Sequence, residues 1–212
     1  MSKVKPRTKN QETLLKTLNF KQFTMLQGIF GSGKSFVTIN WACEQFDNNN
    51  FSKIVVTRNI SHLNDVCGFL PGDINEKMTG FFAQQIQYMK EFFGPERYLK
   101  LIREEKIELL PIGMVRGRSF DSSIVILDEA QNASKKDVMD LLTRIGRRSK
   151  IVVMGDFRQN DFEGVSFFEQ MVEHFEDEDV GFVELTEEDV QRHKSLVRWY
   201  KKLMAIGKPI RG

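Results

Sequence analysis

The sequence has few of the features that mark secreted, membrane-spanning or zinc-cluster proteins. Its 212 residues include only two cysteines, Cys43 and Cys67, which cannot build a disulfide framework or a four-thiolate zinc site. No apolar run reaches the roughly 18 residues that a membrane-spanning helix requires. The basic N-terminus lacks the apolar stretch of a secretion signal. These absences predict a cytoplasmic protein in a reducing compartment, with no membrane partner.

The chain also lacks a strong charge of either sign, because 31 basic residues nearly balance 29 acidic ones. The net charge of +2 gives almost no support for a nucleic-acid partner. The balance differs by segment, since residues 169–189 hold ten acids and no Lys or Arg, and residues 191–212 hold seven bases and no acid. Residues 1–10 add a basic N-terminal arm. Either basic segment could contact phosphates, or equally pair with acidic faces of the chain or of a neighbouring subunit.

Short β-branched runs alternate with longer amphipathic stretches. The predicted strands are residues 23–27, 53–58, 107–110, 123–128, 150–155 and 180–185, and several are apolar at every position, which is typical of strands covered on both faces. The predicted helices are residues 34–46, 75–93, 134–145, 165–175 and 195–204. Ser134 with Asp137 predicts a helix start, and Gly146 a helix end. The alternation predicts one α/β domain over residues 1–212, with a mostly parallel central sheet flanked by helices.

Residues 28–35 read Gly-Ile-Phe-Gly-Ser-Gly-Lys-Ser, which satisfies the P-loop pattern between a strand and a helix. Glycines let successive backbone N–H groups curl around phosphate oxygens, and the helix N-terminus adds partial positive charge. Lys34 would reach the β- and γ-phosphates of ATP, and the Ser35 hydroxyl would ligate Mg²⁺. The predicted nucleotide-binding residues are Gly28, Ile29, Phe30, Gly31, Ser32, Gly33, Lys34 and Ser35.

The predicted strand at residues 123–128 ends in two carboxylates. Asp128 would hold the magnesium or its water, and Glu129 would polarise the water that attacks the γ-phosphate. Ligands bind at the carboxyl ends of parallel strands, so these carboxylates and the P-loop are expected to converge. Gln159 follows another predicted strand and fits two readings equally well, a contact to the γ-phosphate or attacking water and an ordinary polar loop residue. Magnesium carried with ATP is the only metal expected.

Several segments, in this order, resemble the PhoH family of P-loop ATPases, whose core is similar to that of superfamily 1 helicases. The matching segments are residues 68–73, 76–77, 116–120, 128–132, 141–146 and 149–156, and the resemblance covers roughly residues 8–197. It implies a RecA-like ATPase core and a Mg-dependent ATP hydrolase. It also implies a homo-oligomer, a ring such as a hexamer, and a role on RNA or other single-stranded nucleic acid.

The resemblance further implies roles for individual residues. Gln11 matches a glutamine that reads the adenine edge, and Gln159 matches the glutamine of a Gly-Asp-x-x-Gln sensor motif. Arg192 matches a late arginine that stabilises charge on the transferred phosphate. Arg144 is the rival for this role, supplied from a neighbouring subunit.

The sequence also departs from the family pattern, and it leaves a second function open. Ile29 and Phe30 stand where family P-loops usually carry small residues. Superfamily 1 helicases generally translocate with two cores in one chain, whereas this chain has room for one. The alternative function is therefore a nucleotide-binding switch or assembly module that binds ATP without sustained turnover.

Overall fold

Six parallel strands form the centre of the structure, a computed structural model that describes residues 4–60, 80–160, 164–175, 179–191 and 194–205. The sheet order is β3-β2-β4-β5-β1-β6. This architecture confirms the predicted α/β class with a parallel sheet. The strands are β1 (Phe23–Gly28), β2 (Lys53–Arg58), β3 (Ile107–Pro111), β4 (Ser123–Asp128), β5 (Lys150–Gly155) and β6 (Val180–Leu185).

Helices cover both faces of this sheet. Within the described residues they are α1 (Lys9–Phe20), α2 (Lys34–Asp47), α3 (Ala83–Phe93), α4 (Pro95–Arg103), α5 (Lys135–Leu142), α6 (Phe167–His174) and α7 (Lys194–Ala205). Apolar residues of α1 to α4 pack into one core cluster, and those of α5 and α6 pack into the other. None of the helices in the described part of the chain is long and apolar enough to cross a membrane.

Strand β4 shows why its residues form a central strand. All six of its positions are buried. Ile124 and Ile126 point into one core cluster, whereas Val125 and Leu127 point into the other. Successive side chains alternate between the faces of a sheet, so a strand covered on both sides must be apolar at nearly every position.

Two helices were not predicted, and one predicted helix is only partly tested. Helix α1 begins after Thr8, whose side chain accepts a hydrogen bond from the Gln11 N–H. Helix α4 begins with Pro95. Of the helix predicted at residues 75–93, residues 83–93 form α3, and residues 75–79 lie outside the described residues.

The start of α5 confirms the predicted cap, but its end does not. Ser134 and Asp137 form a capping box. The prediction that Gly146 ends this helix is wrong, because α5 stops at Leu142. At Gly146 a Cβ atom would lie 2.2 Å from Asp121 Oδ1, so the glycine is needed for close approach of two loops.

The strand order positions the predicted site. Strand β1 lies between β5 and β6, and β4 is the other neighbour of β5. The carboxyl ends of β1, β5 and β4 therefore meet side by side at one edge of the sheet. The loops that follow these three strands contain the predicted P-loop, the carboxylate pair and Gln159.

Candidate functional site

A pocket of about 350 Å³ opens at the carboxyl ends of β1, β4 and β5. It brings together residues that are far apart in the sequence, including Gln11, Lys34, Glu129 and Gln159. Its full lining is Arg7, Gln11, Ile29, Phe30, Gly31, Gly33, Lys34, Ser35, Phe36, Gln84, Tyr88, Glu129, Gln159 and Gln191.

The predicted P-loop has the backbone shape that an anion cradle needs. Gly31 and Gly33 have positive φ angles of 70° and 95°, which side chains strongly disfavour. Ser32 is buried, and its Oγ donates to the carbonyl of Ile29 at 2.7 Å, which holds the loop closed. Helix α2 begins at Lys34, so its first N–H groups are placed at the pocket.

Lys34 lies among three carboxylates at this edge of the sheet. Its Nζ donates to the carbonyls of Gly28 and Ile29. Burial lowers the pKa of Lys34, and the negative charges of Asp156, Glu129 and Asp128 oppose this shift. The ammonium group hydrogen-bonds neutral carbonyls, which it can exchange for phosphate oxygens that bind it more strongly.

Asp128 is buried and held by two hydrogen bonds. It is only 3% exposed, and its Oδ1 accepts the backbone N–H of Glu129 at 2.9 Å. Its Oδ2 accepts from Nε2 of Gln85 on α3. Burial raises the pKa of Asp128 and the charge of Glu129 adds to this, whereas Arg58 and the Gln85 hydrogen bond oppose it.

Gln85 and Arg58 are functional candidates that sequence reasoning missed. Arg58 Nη1 donates to the carbonyl of Phe81 at 2.7 Å, which ties the chain just before α3 to the end of β2. The Nε atom of Arg58 and the Oε1 atom of Gln85 are buried, with no hydrogen-bond partner among the described residues. Gln85 lies 43 residues before Asp128, so no local pattern joins them.

Glu129 is positioned by Gln131, another residue that the sequence did not indicate. Glu129 has a positive φ angle of 54°, a strained backbone conformation that clusters at functional sites. Its Oε2 accepts from Gln131 Nε2 at 2.7 Å, and the N–H of Asp156 donates to Gln131 Oε1 at 3.1 Å. A Cβ at Gly155 would lie 2.5 Å from that Oε1 atom. Gln131 therefore links the two strand ends, and Gly155 leaves room for it.

Gln159 lies at the end of a short 3-10 helix, Phe157–Gln159, and lines the pocket. Asp156 begins this turn, because its Oδ1 accepts the N–H of Arg158 at 3.0 Å. Gln27, at the end of β1, accepts the N–H of Phe157 at 3.2 Å. The turn that carries Gln159 is thus fixed to the strand that leads into the P-loop, and its role as a sensor stays a prediction.

The amide of Gln11 bonds to protein backbone at both ends. Its Nε2 donates to the carbonyl of Ser32 at 3.0 Å, and its Oε1 accepts the N–H of Arg7 at 2.9 Å. A Cβ at Gly33 would lie 2.9 Å from Nε2. Gln11 thus joins α1 to the P-loop while lining the pocket, and its recognition of adenine stays a prediction.

The chain after β6 also reaches the P-loop, which the sequence did not indicate. Asp189 is buried and accepts hydrogen bonds from Thr8 Oγ1 and from Asn10 Nδ2, the latter at 2.9 Å. The N–H of Gln191 donates to the carbonyl of Gly31 at 3.2 Å. Asp189 therefore fixes the start of α1 to the segment that contacts the loop.

Helix α7 contacts the entrance of the pocket through an aromatic pair, Tyr200 and Phe30. The ring centroid of Tyr200 lies 4.5 Å from that of Phe30. Burial raises the pKa of Tyr200, and the charge of Asp156 adds to this shift, while Gln159 and Arg158 oppose it. The hydroxyl of Tyr200 is therefore close to the residues that follow β5.

Of the two predicted arginines, Arg144 is not brought into the pocket. The carbonyl of Arg144 accepts the N–H of Phe120, just before β4, so Arg144 lies at the opposite end of the sheet. Its side chain donates to Thr143 Oγ1 at 3.3 Å. Arg192 lies outside the described residues. Within the described part of the chain, Arg7 is the one arginine that lines the pocket.

The oxygen donors at the site fit magnesium carried with a nucleotide. No group of three or more His, Cys, Asp or Glu side chains in the described ranges could hold a metal ion. Asp128 offers a buried carboxylate and Ser35 a hydroxyl at the start of α2. Mg²⁺ is usually bound by one or two carboxylates together with substrate phosphates, and this donor set matches that pattern.

Comparison with known sequences gives consistent relatives. A family model described as PhoH-like protein matches residues 3–205. The chain is 35% identical over 196 residues to Protein PhoH of Escherichia coli, covering 90% of this chain and 55% of that protein. It is 32% identical over 200 residues to a PhoH-like protein of Synechocystis, covering 92% and 60%. The chain therefore spans little more than half the length of these curated relatives.

Solved structures show the same fold at low sequence identity. The large terminase of a thermophilic bacteriophage superposes with a TM-score of 0.62 at 11% identity, covering 94% of this chain and 50% of that one. The Pif1 helicase from Candida albicans gives a TM-score of 0.50 at 18% identity, covering 95% and 44%. These likenesses assign the RecA-like P-loop fold.

Proposed function

The chain belongs to the PhoH-like protein family, and we propose that it is a Mg-dependent ATP hydrolase acting as a homo-oligomer on RNA or other single-stranded nucleic acid. One observation carries the hydrolase proposal: Lys34, Glu129 and Gln159 line a single pocket at the carboxyl ends of neighbouring strands. Phosphoryl transfer to water depends on such positioning of charges around the γ-phosphate.

In this proposal each residue of the pocket has a distinct task. The P-loop N–H groups and Lys34 bind the β- and γ-phosphates, and Glu129 takes the proton of the attacking water. Gln131 orients the Glu129 carboxylate, since it donates to Oε2 at 2.7 Å. Gln159 contacts the γ-phosphate or the water. Ser35 and Asp128 would hold the magnesium, which when bound neutralises charge on the phosphates.

The oligomer proposal rests on the need for an arginine that a neighbouring subunit supplies to the pocket. An arginine that stabilises the transferred phosphate greatly accelerates P-loop NTPases. Arg7 is the one pocket-lining arginine of the described residues, and Arg144 is at the other end of the sheet. We propose that an arginine from a neighbouring subunit, either Arg144 or Arg192, enters the pocket.

Steady-state phosphate release tests the hydrolase proposal. Lys34→Ala should lower kcat at least about 100-fold, because removing one preorganised charge contact typically costs that much. Lys136→Ala, an exposed lysine on α5, is the matched control and should behave as wild type. Undiminished hydrolysis by the Lys34 variant would overturn the site. Absence of both binding and stimulation by oligo(U) and oligo(dT) would overturn the nucleic-acid part.

Apart from Arg7, no arginine of the described residues lines the pocket. This favours one alternative function, a nucleotide-binding switch that hydrolyses ATP slowly. Light scattering with and without ATP separates the two functions. An assembly that depends on ATP, with phosphate release far slower than nucleotide exchange, supports the switch. A monomer that is indifferent to nucleotide contradicts both the ring and the assembly switch.

A further inference from the structure

Helix α7 presents two different faces beside the nucleotide pocket. On its inner face, Tyr200 is half-buried against Phe30 of the P-loop. On its outer face, Trp199 is 56% exposed, and the side chains of Arg198 and Lys202 are exposed beside it. An exposed aromatic ring beside two cations on one face of a helix is the combination that binds single-stranded nucleic acid, because the ring can stack on a base while the cations contact phosphates.

We propose that this outer face, defined by Arg198, Trp199 and Lys202, binds single-stranded nucleic acid, and that Tyr200 couples it to the nucleotide pocket through Phe30. The inference deepens the proposed function, since it assigns the surface on which the nucleic-acid partner lies. The inference rests on the proposed function, which identifies ATP as the nucleotide in the pocket.

The chemistry of the outer face fits an unpaired strand. Residues three or four apart are neighbours on a helix, so Lys202 lies close to both Trp199 and Arg198. An exposed indole can stack on a base only if that base is not already stacked in a duplex. The two cations can bind the phosphates on either side, and residues 191–212 contain no acid that would repel them.

A rival basic surface is less suited to this task. Arg116 and Arg118 flank Gly117, but Arg116 pairs with Asp140 at 2.6 Å and Arg118 pairs with Glu108. Each guanidinium would have to exchange a carboxylate of its own chain for a phosphate. Such an exchange gains little free energy compared with neutralising phosphates by Arg198 and Lys202, which form no ion pair with a carboxylate of the described residues.

The inner face of α7 couples the nucleic-acid surface to the nucleotide pocket. Phe30 belongs to the P-loop, and Tyr200 also lies close to Asp156 and Gln159. A nucleotide that shifts Phe30 or Gln159 changes the contacts of Tyr200. Because Tyr200 and Trp199 belong to the same helix, the position of Trp199 changes as well. Because binding linkage is reciprocal, the strand must then change nucleotide affinity by the same factor.

Trp199 provides its own probe. The protein has two tryptophans, and Trp41 is buried with 2% exposure, so a strand that stacks on α7 should quench Trp199 alone. Adding U20 or dT20 should quench wild-type fluorescence and leave Trp199→Phe unquenched. In anisotropy titrations with labelled strands, Trp199→Ala should bind about 5- to 100-fold more weakly, with Trp199→Phe in between.

Two matched controls separate the surface from general effects. Phe20→Ala removes an aromatic that is 85% exposed at the end of α1, and Lys136→Ala removes an exposed cation on α5. Both should bind strands as wild type does. The double variant Arg198→Ala/Lys202→Ala should lower the slope of log affinity against log salt by about 1.4, which is about 0.7 for each phosphate that is no longer neutralised.

The outcomes distinguish this inference from the proposed function. If wild type binds no strand, the nucleic-acid part of the proposed function falls, and this surface falls with it. If wild type binds, but Trp199→Ala and Phe20→Ala bind equally tightly, the surface is overturned and the proposed function stands. A nonhydrolysable ATP analogue should change strand affinity in wild type and not in Tyr200→Ala. An equal change in both proteins would overturn the coupling.

Discussion

At the amino ends of β4 and β5 buried polar groups satisfy one another, whereas at the carboxyl ends several do not. Ser149 Oγ donates to the carbonyl of Phe120 at 2.7 Å and accepts the N–H of Ser123 at 3.0 Å. Lys150 Nζ donates to three carbonyls near the end of α1, those of Leu18, Asn19 and Lys21. The chain itself completes the hydrogen bonding of these groups.

The carboxyl ends retain unused hydrogen-bonding capacity. Gln85 Oε1, Arg58 Nε and Asp156 Oδ2 are buried without a partner in the described ranges. Leaving such groups unpaired costs free energy, and natural proteins retain that cost mainly where a ligand or reaction uses it. The polar groups at one end of the sheet therefore stabilise the fold, whereas those at the other end cost stability, which is consistent with the binding role that we propose for this end.

The largest expected effect comes from Glu129→Gln. It should lower kcat by about 10²- to 10⁴-fold, because an amide cannot take the proton of the attacking water. A glutamine oxygen can still accept from Gln131, so the melting temperature and the affinity for a fluorescent ATP analogue should persist. Phosphate release and analogue titration measure both properties. If this variant lost its folded structure together with its activity, the conclusion that the carboxyl ends serve activity rather than stability would be contradicted.

Gln131→Leu comes next. When the amide of Gln131 is removed, Glu129 loses the donor that orients it, and kcat should fall about 10- to 100-fold. Gln87→Leu is the matched control, because Gln87 is exposed and donates to Glu91 on the same helix. Equal turnover by the two variants would show that Gln131 plays no positioning role.

At the opposite end, Ser149→Ala should act on stability alone. It leaves the buried Ser123 N–H unpaired, which should cost about 1–3 kcal/mol of unfolding free energy. Urea denaturation measures this cost, and kcat per folded molecule should not change. Ser52→Ala, which removes an exposed hydrogen bond to Ser122, should cost much less. A decrease in kcat for the Ser149 variant would contradict the contrast.

The smallest expected effect is a shift in pH dependence. Burial holds the pKa of Asp128 above its ordinary value, and the hydrogen bond from Gln85 opposes this by favouring the ionised form. Gln85→Leu should raise that pKa further. The acidic limb of kcat/KM, which reports the free enzyme, should therefore move to higher pH. A shift to lower pH would contradict the role given to Gln85.

The sequence predicted the sheet well for a physical reason. Strands buried on both faces must be apolar throughout, so runs such as those of β4 and β5 are easily recognised, and both were predicted with their observed bounds. Helices α1 and α4 were missed because their apolar stripes are short. The signals were present, however, in the Thr8 cap and in Pro95 at the start of α4.

The site was predictable only where its residues are local in sequence. The P-loop is one continuous segment, and Asp128 and Glu129 directly end a strand. Gln85 contacts a distant segment, and Gln131 joins Glu129, two residues away, to Asp156 on a different strand end. Both arrangements depend on how the helices pack and on the order of the strands. No spacing rule connects Gln85 to a carboxylate 43 residues later.

The position of β1 has a consequence for synthesis of the protein. Both hydrogen-bonded neighbours of β1, which are β5 and β6, come from residues 150–185. Strands β2, β3 and β4 can pair as soon as residue 128 is made, but β1 must wait for the chain that follows. Pairing across so many residues is slow. The P-loop is therefore translated early, but the strand that leads into it can pair with its neighbours only after residues 150–185 have been made.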